Sequence, residues 1–278
     1  MKTTEPIFTI DLFLVLDQKL TEVLQSLAAD DWNRQTIAPR WKVKDVAAHL
    51  LDGNIRGIAI GRDKYAGNTA PQIYTYGDLV AFLNELNASW VAAAQRISPA
   101  LLTGLLELTG RQYYEYLKTL DPFEEAVFSV AWAGEQISRN WFHIAREYTE
   151  KWHHQQQIRL AVGQENELLT SELYFPFLAT AMRALPHHYR TVDAAEGDTV
   201  AFTVTNDGGT WFLKRNAHEW QLVDECEETP IAQVRINHTI AWRIFTRGIS
   251  GAEARDRIEI TGRQALGEPI LNMLAVMA

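Results

Sequence analysis

The sequence has a single cysteine, Cys226, in 278 residues. That excludes an intramolecular disulfide and any metal site built from several thiolates. It also has no excess of basic charge. Lys and Arg number 26 against 35 Asp and Glu, for a formal net charge of -9. Neutralising a phosphate backbone or an anionic membrane surface calls for the opposite balance, so neither is an expected partner. No run of about 18 apolar residues occurs, so no membrane span is expected. Only Lys2 stands ahead of the first apolar stretch, and Asp11 and Asp17 interrupt that stretch. This is not the pattern of a secretory signal, and a cytoplasmic protein is the expectation. Internal repeats and low-complexity segments are missing as well.

What remains is ordinary for a globular chain, with 47% hydrophobic and 22% charged residues and nine Trp. The length favours two domains. Apolar residues recur at helical spacing over 5–29 (Phe8, Leu12, Leu16, Leu20, Val23, Leu24, Leu27), which predicts a first helix. A second is predicted over 43–61, a loop over 62–77 and a third helix over 78–97. Ser98-Pro99 places an N-cap before a proline at the first helical position, opening a helix to about residue 118. After a linker holding Pro122, Ser138 is the expected cap of a long helix ended by Gly163. Residues 1–165 therefore read as a four-helix-type bundle.

Beyond a polar linker at 164–170 the pattern changes. One helix is predicted over 171–184. Alternating segments follow at 199–205, 210–214, 220–223 and 231–237, with a hairpin signal, Asn206-Asp-Gly-Gly209, between the first two. A short helix at 239–246, a strand at 257–260 and a final helix at 263–276 complete residues 171–278. This half reads as a small α+β domain with an antiparallel sheet, and the whole chain as a two-domain α+β protein.

Chemistry concentrates in Glu150-Lys-Trp-His-His-Gln-Gln-Gln-Ile158. Glu150 and His154 are four residues apart, on one helix face and one turn from each other. A carboxylate and an imidazole so placed can share a divalent metal ion, and His49, in the helical stretch 43–60, can supply a third ligand. Three protein ligands leave a position open, as in catalytic rather than structural sites. His143, Glu147, Glu150 and His154 form one stripe, and Asp45, His49, Asp52 and Arg56 form another with the same spacing. The plain alternative is that both stripes are solvated faces crossed by ion pairs such as His143–Glu147 and Asp52–Arg56. Glu-x-x-x-His alone is common by chance.

The surrounding residues extend this. Trp41-Lys-Val-Lys-Asp45-Val-Ala-Ala-His49-Leu-Leu-Asp52 resembles the metal-binding helix of the DinB-like superfamily, and most closely its branch of mycothiol-dependent maleylpyruvate isomerases. Most DinB-like proteins carry His-x-x-x-His on a later helix, with Gln three residues on. Here Glu150 stands at the first position, His154 at the second and Gln157 at the Gln. The isomerase branch also has Glu at the first. The resemblance implies an up-down helical bundle followed by a smaller, sterol-carrier-like α+β domain, and metal ligation by His49, Glu150 and His154. Glu147 is the rival carboxylate, as ligand or as a group orienting one. Asp52 or Asp45 could orient His49, although surface pairing is the plainer fate of both. His153 points about 100° away from His154. Trp141, Tyr148 and Trp152 read as core.

A mixed His and carboxylate site suits Zn²⁺, with Ni²⁺, Fe²⁺ and Mn²⁺ as alternatives. The resemblance implies a low-molecular-weight thiol held at the metal and added to an electrophilic small molecule. The outcome would be isomerisation about a double bond or thiol transfer. Cys226 lies in the acidic loop 224–228, a poor setting for a nucleophile. Arg243 and Arg247, four apart, are the candidates to meet carboxylates of thiol or substrate, against the plain reading of surface arginines. Two other functions stay open. One is a ligand-binding or interaction module with a degenerate metal site. The other is a metal-dependent hydrolase, which would need no thiol. A homodimer is the assembly the family suggests.

Overall fold

The computed structural model describes residues 5–67 and 71–276. Its contacts divide the chain into two compact units. The first comprises Thr9–Asp121 and Glu150–Glu167; the second comprises the described parts of Met1–Phe8, Pro122–Thr149 and Leu168–Ala278. This division does not follow the boundary expected at 165–171, because residues 122–149 group with the C-terminal residues. The change in sequence pattern at Gly163 marks a switch of secondary structure, which is a different matter from packing.

In the first unit, α1 (Phe13–Ser26) buries Phe13, Leu16, Leu20, Val23 and Leu24 along one stripe. α2 (Val43–Arg56) buries Val43, Val46, Ala47, Leu50 and Leu51 at the same helical spacing. Asp45, at the third position of α2, accepts the Lys42 backbone N–H at 2.9 Å and so secures the helix start. α3 (Tyr76–Ala94) begins under a Thr75–Asp78 capping box, and its Trp90 indole donates to the Ala48 carbonyl of α2 at 2.7 Å. α4 (Pro99–Leu117) starts as expected, with the Ser98 hydroxyl accepting the Leu101 N–H and Pro99 at the first position. α5 (Asn140–Val162) is the longest helix and passes from the second unit into the first. Gly163 ends it with φ +74°, a conformation open to glycine at no steric penalty.

Three helical expectations are corrected. The first helix begins at Phe13, after a 3-10 turn at Ile10–Leu12, and Phe8 lies outside it at 60% exposure. Pro6 explains part of this, since the residue before proline avoids the helical region. The second helix does not run on unchanged to 61: α2 gives way to a π-helical turn, Gly57–Arg62. Glycines allow that turn to press against α4, where a Cβ at Gly57 or Gly61 would meet the ring of Tyr113 or Tyr116 at 2.5 Å. Ser138 does not cap α5. Its hydroxyl accepts the Val130 N–H at 2.8 Å and donates to Glu135.

The second unit holds α6 (Ser171–Met182), α7 (Leu185–His188) and a five-stranded sheet. β1 (Thr199–Val204), β2 (Gly209–Arg215) and β3 (Trp220–Val223) form an antiparallel meander. Its first turn uses Asn206 and Asp207 at positive φ, as the hairpin signal implied. β4 (Ala232–Ile236) pairs with β1 in parallel, and β5 (Ile258–Gly262) pairs antiparallel with β4. The sheet is therefore mixed, in the order β3-β2-β1-β4-β5, rather than wholly antiparallel. Alternation along a strand reports its buried face and says nothing of its direction. α8 (His238–Phe245), α9 (Gly251–Arg255) and α10 (Gln264–Gly267) complete the unit. The expected final helix over 263–276 shrinks to α10 and a 3-10 turn, Glu268–Asn272. Pro269 has no N–H to continue the ladder.

Tyr174 of α6 ties this unit together. Its hydroxyl donates to the His238 carbonyl at 2.7 Å and accepts the Trp242 N–H at 3.1 Å, in full burial. Tyr174→Phe leaves both backbone groups without that partner. The loss should be about 1–3 kcal/mol of unfolding free energy, read by denaturant titration, and an unchanged midpoint would refute this role for the hydroxyl.

Candidate metal centre

His49 stands about two turns into α2, on a helix that buries mostly aliphatic residues together with Asp52 and Asn54. Glu150 and His154 are one turn apart on α5. This part of α5 is unusual. Lys151, His153, His154, Gln155, Gln156, Gln157 and Arg159 are all buried. A helix polar on every side and yet buried must find a partner for each polar group.

One such set is the trio itself. An imidazole nitrogen of His49, a carboxylate oxygen of Glu150 and an imidazole nitrogen of His154 all lie within 4.8 Å of one another. Nε2 of His154 is 3.6 Å from Oε2 of Glu150, and the rings of His49 and His154 meet edge to face at 4.6 Å. Nδ1 of His154 is 3.0 Å from the Gln157 Oε1. A hydrogen bond there puts the proton on Nδ1 and leaves the Nε2 lone pair turned to Glu150, the arrangement that metal-bound histidines commonly show. Burial holds the pKa of His49 well below its ordinary value, helped by the neighbouring His154 and opposed by Glu150. His49 is therefore neutral near pH 7, with a lone pair to offer. Its Nδ1 is closed off from solvent and has no hydrogen-bond partner among the described residues. An unsatisfied buried polar atom costs about 1–3 kcal/mol, a penalty that ligation through Nδ1 would remove. Two imidazoles and one carboxylate fit a divalent cation of the zinc type.

Trp41, placed just ahead of α2, packs against both histidines of the trio. Its ring lies 4.7 Å from that of His49 and 5.9 Å from that of His154. Its place in the motif was visible in the sequence, whereas its contact with both imidazoles was not. The ring of His153 lies tilted against that of His154, with centroids 3.9 Å apart, and is buried.

The other candidates are bonded elsewhere. Glu147 pairs with Arg146 and lies 4.0 Å from Nδ1 of His143. Asp52 is buried and faces Arg56 Nε at 2.9 Å, with an angle outside hydrogen-bond geometry. Burial pushes its carboxyl above the usual range, against the pull of Arg56. Asp45 bonds the Lys42 backbone and the Gln95 side chain. Thus neither aspartate orients His49, and both are paired. Arg243 is half-buried with its guanidinium over Trp242, and Arg247 is exposed at the end of α8. The Cys226 thiol donates to the Glu228 carbonyl at 2.8 Å. Tyr148 and Trp152 are core, while Trp141 is half-buried beneath the Arg183 guanidinium.

No helix among the described residues is long and apolar enough to cross a membrane. The family model described as the mycothiol maleylpyruvate isomerase N-terminal domain matches residues 13–159, a span that includes His49, Glu150 and His154. Two solved structures are similar in fold. Both are titled as the mycothiol-dependent maleylpyruvate isomerase, and one is a mutant with a histidine changed to alanine. Each shares 10% sequence identity and a TM-score of 0.51, over 91% of this chain and 91% of the other. No curated protein matches the sequence significantly.

Proposed function

The chain belongs to the mycothiol maleylpyruvate isomerase N-terminal domain family, and from that premise we propose that it is a divalent-metal enzyme that adds a low-molecular-weight thiol to an electrophilic small molecule. The convergence of His49, Glu150 and His154 carries this reading. These three residues would hold the ion, most naturally Zn²⁺. A divalent cation so held supplies Lewis acidity, which keeps a coordinated thiol deprotonated at neutral pH.

The chain's own residues supply the rest. Neutral His49 offers a lone pair without a proton having first to leave. Gln157 fixes the tautomer of His154. Trp41 packs its ring against two of the three ligands. Cys226 is engaged in its own loop, so the nucleophile comes from outside the chain.

The relatives of known structure are titled mycothiol-dependent, so mycothiol is the first thiol to offer. Maleylpyruvate and other α,β-unsaturated acids are the first electrophiles. Protein stripped with chelator and reloaded with Zn²⁺ should turn over such compounds only when both metal and thiol are present. Turnover with metal but no thiol would point instead to a hydrolase. Metal-free protein that binds a ligand without converting it would point to a binding module.

A further inference from the structure

Around α5 the metal trio occupies only one stripe. Lys151, Gln155 and Arg159 fall at i, i+4 and i+8, roughly 100° further round the helix. All three are buried, at 8%, 1% and 3% exposure. All three reach α1. Lys151 Nζ lies 2.7 Å from Oδ1 of Asp17. Gln155 Nε2 donates to the Leu16 carbonyl at 2.8 Å, and an Arg159 amino group donates to the Lys19 carbonyl at 2.7 Å. Arg159 Nε also donates to Gln155 Oε1 at 3.3 Å, linking the last two. Asp17 is confined from the other side, since a Cβ at Gly110 of α4 would stand 2.7 Å from its Oδ2.

Such a seam is an odd way to gain stability. A buried ion pair seldom outperforms apolar residues of the same size. What it gives is direction. Leucines packed on leucines tolerate a slide or a small rotation. These donors must meet two backbone carbonyls and one carboxylate at fixed points. A shift of one residue along the axis, about 1.5 Å, or a turn of about 100°, breaks all three contacts. Glu150 and His154 sit on the same two turns as Lys151 and Gln155. Their approach to His49 on α2 is therefore set by how α5 is seated on α1.

We propose that Lys151, Gln155 and Arg159 are positioning residues, which clamp α5 to α1 and so hold Glu150 and His154 at ligand distance from His49 before an ion arrives. This rests on the reading of those three as metal ligands.

The test compares the full chain with two variants. Lys151→Met with Asp17→Asn removes both charges and leaves no lone buried ion. Gln155→Met is a milder change should the first fold poorly. Zn²⁺ affinity by chelator competition, the melting temperature of the metal-free protein and its crystal structure are measured for each. The proposal expects 10- to 100-fold weaker Zn²⁺ binding in the double variant, in the range seen when groups supporting metal ligands are removed. Gln155→Met should show a smaller loss, and the metal-free melting temperature should stay close to that of the parent. The crystal structure should show α5 displaced, with the three ligand atoms spread beyond their 4.8 Å. A lower melting temperature with unchanged affinity and unchanged ligand spacing would overturn it, leaving a purely structural seam. Failure of the parent protein to bind Zn²⁺ would instead sink the metal reading. In that case the crystal structures still decide: displaced ligands support the clamp, and unmoved ones refute it.

Discussion

Purified without chelator, the protein should carry about one divalent ion per chain, and His49→Ala and His154→Ala should each carry none. Each substitution leaves only two ligands, which is too few for a site that must keep a position open. The effect extends to stability, because an ion that binds only the folded chain stabilises it by mass action. At a free concentration a thousandfold above Kd the linkage is about 4 kcal/mol. For a chain of this size that is on the order of 10 °C in melting temperature. Each variant should lose that increment, while His153→Ala, one position away from the ligand His154, should keep the metal and the rise in melting temperature that Zn²⁺ brings. Elemental analysis and thermal scans with and without Zn²⁺ read the two effects separately. Full metal content in His154→Ala would remove that residue from the site.

Acid should destabilise the fold through His143. Its ring is buried among Phe128, Arg146 and Glu147. Burial first, and the Arg146 guanidinium second, push its pKa down from 6.5 to about 4, with Glu147 opposing. The Arg146 contact to Nδ1, at 3.0 Å, suits the neutral ring alone. The folded pKa is depressed, so between 6.5 and 4 the unfolded chain holds a proton that the folded chain does not. Stability is therefore fully present above pH 6.5 and is lost as pH falls toward 4. At about 1.4 kcal/mol per pH unit, the loss across that window is roughly 3 kcal/mol. Carboxylates weaken the fold in the same range, so the informative quantity is a difference. His143→Gln keeps an acceptor for Arg146 and removes the titration. Denaturant midpoints taken from pH 7 to pH 4.5 should fall more steeply for the parent than for the variant. Parallel curves would show that His143 does not govern the acid response.

Much of this was legible in the sequence because the relevant signals are local. Helical spacing placed Glu150 and His154 on one face. The stretch from Trp41 to Asp52 placed His49 on another helix. The Ser98-Pro99 start, the Gly163 stop and the 206–209 turn each act within a few residues. The misreadings arose where the deciding partner lay outside the periodic pattern of the element. Strand alternation could not show that β4 runs parallel to β1. Ser138 looked like a cap, but its hydroxyl serves Val130 and Glu135. Lys151, Gln155 and Arg159 give no sign in the local sequence that they are buried. Sequence polarity does not tell whether a polar group meets water or the carbonyls of another helix, and here they meet α1. Gln157 could be matched to a family position, but its hydrogen bond to His154 needed coordinates. Pro269 is the local signal against the last helix, since it has no N–H to continue the ladder.

The most direct test of the central claim is to load the metal-free protein with Co²⁺ and titrate it with mycothiol, using glutathione as a comparison, while recording the visible and near-ultraviolet spectrum. The account predicts cobalt bands that change on thiol addition and a new thiolate-to-metal charge-transfer band that saturates at about one thiol per chain. Both should be missing in His154→Ala. Cobalt bound tightly by the parent, with a spectrum that neither thiol alters, would contradict a thiol-dependent function even with the metal site intact.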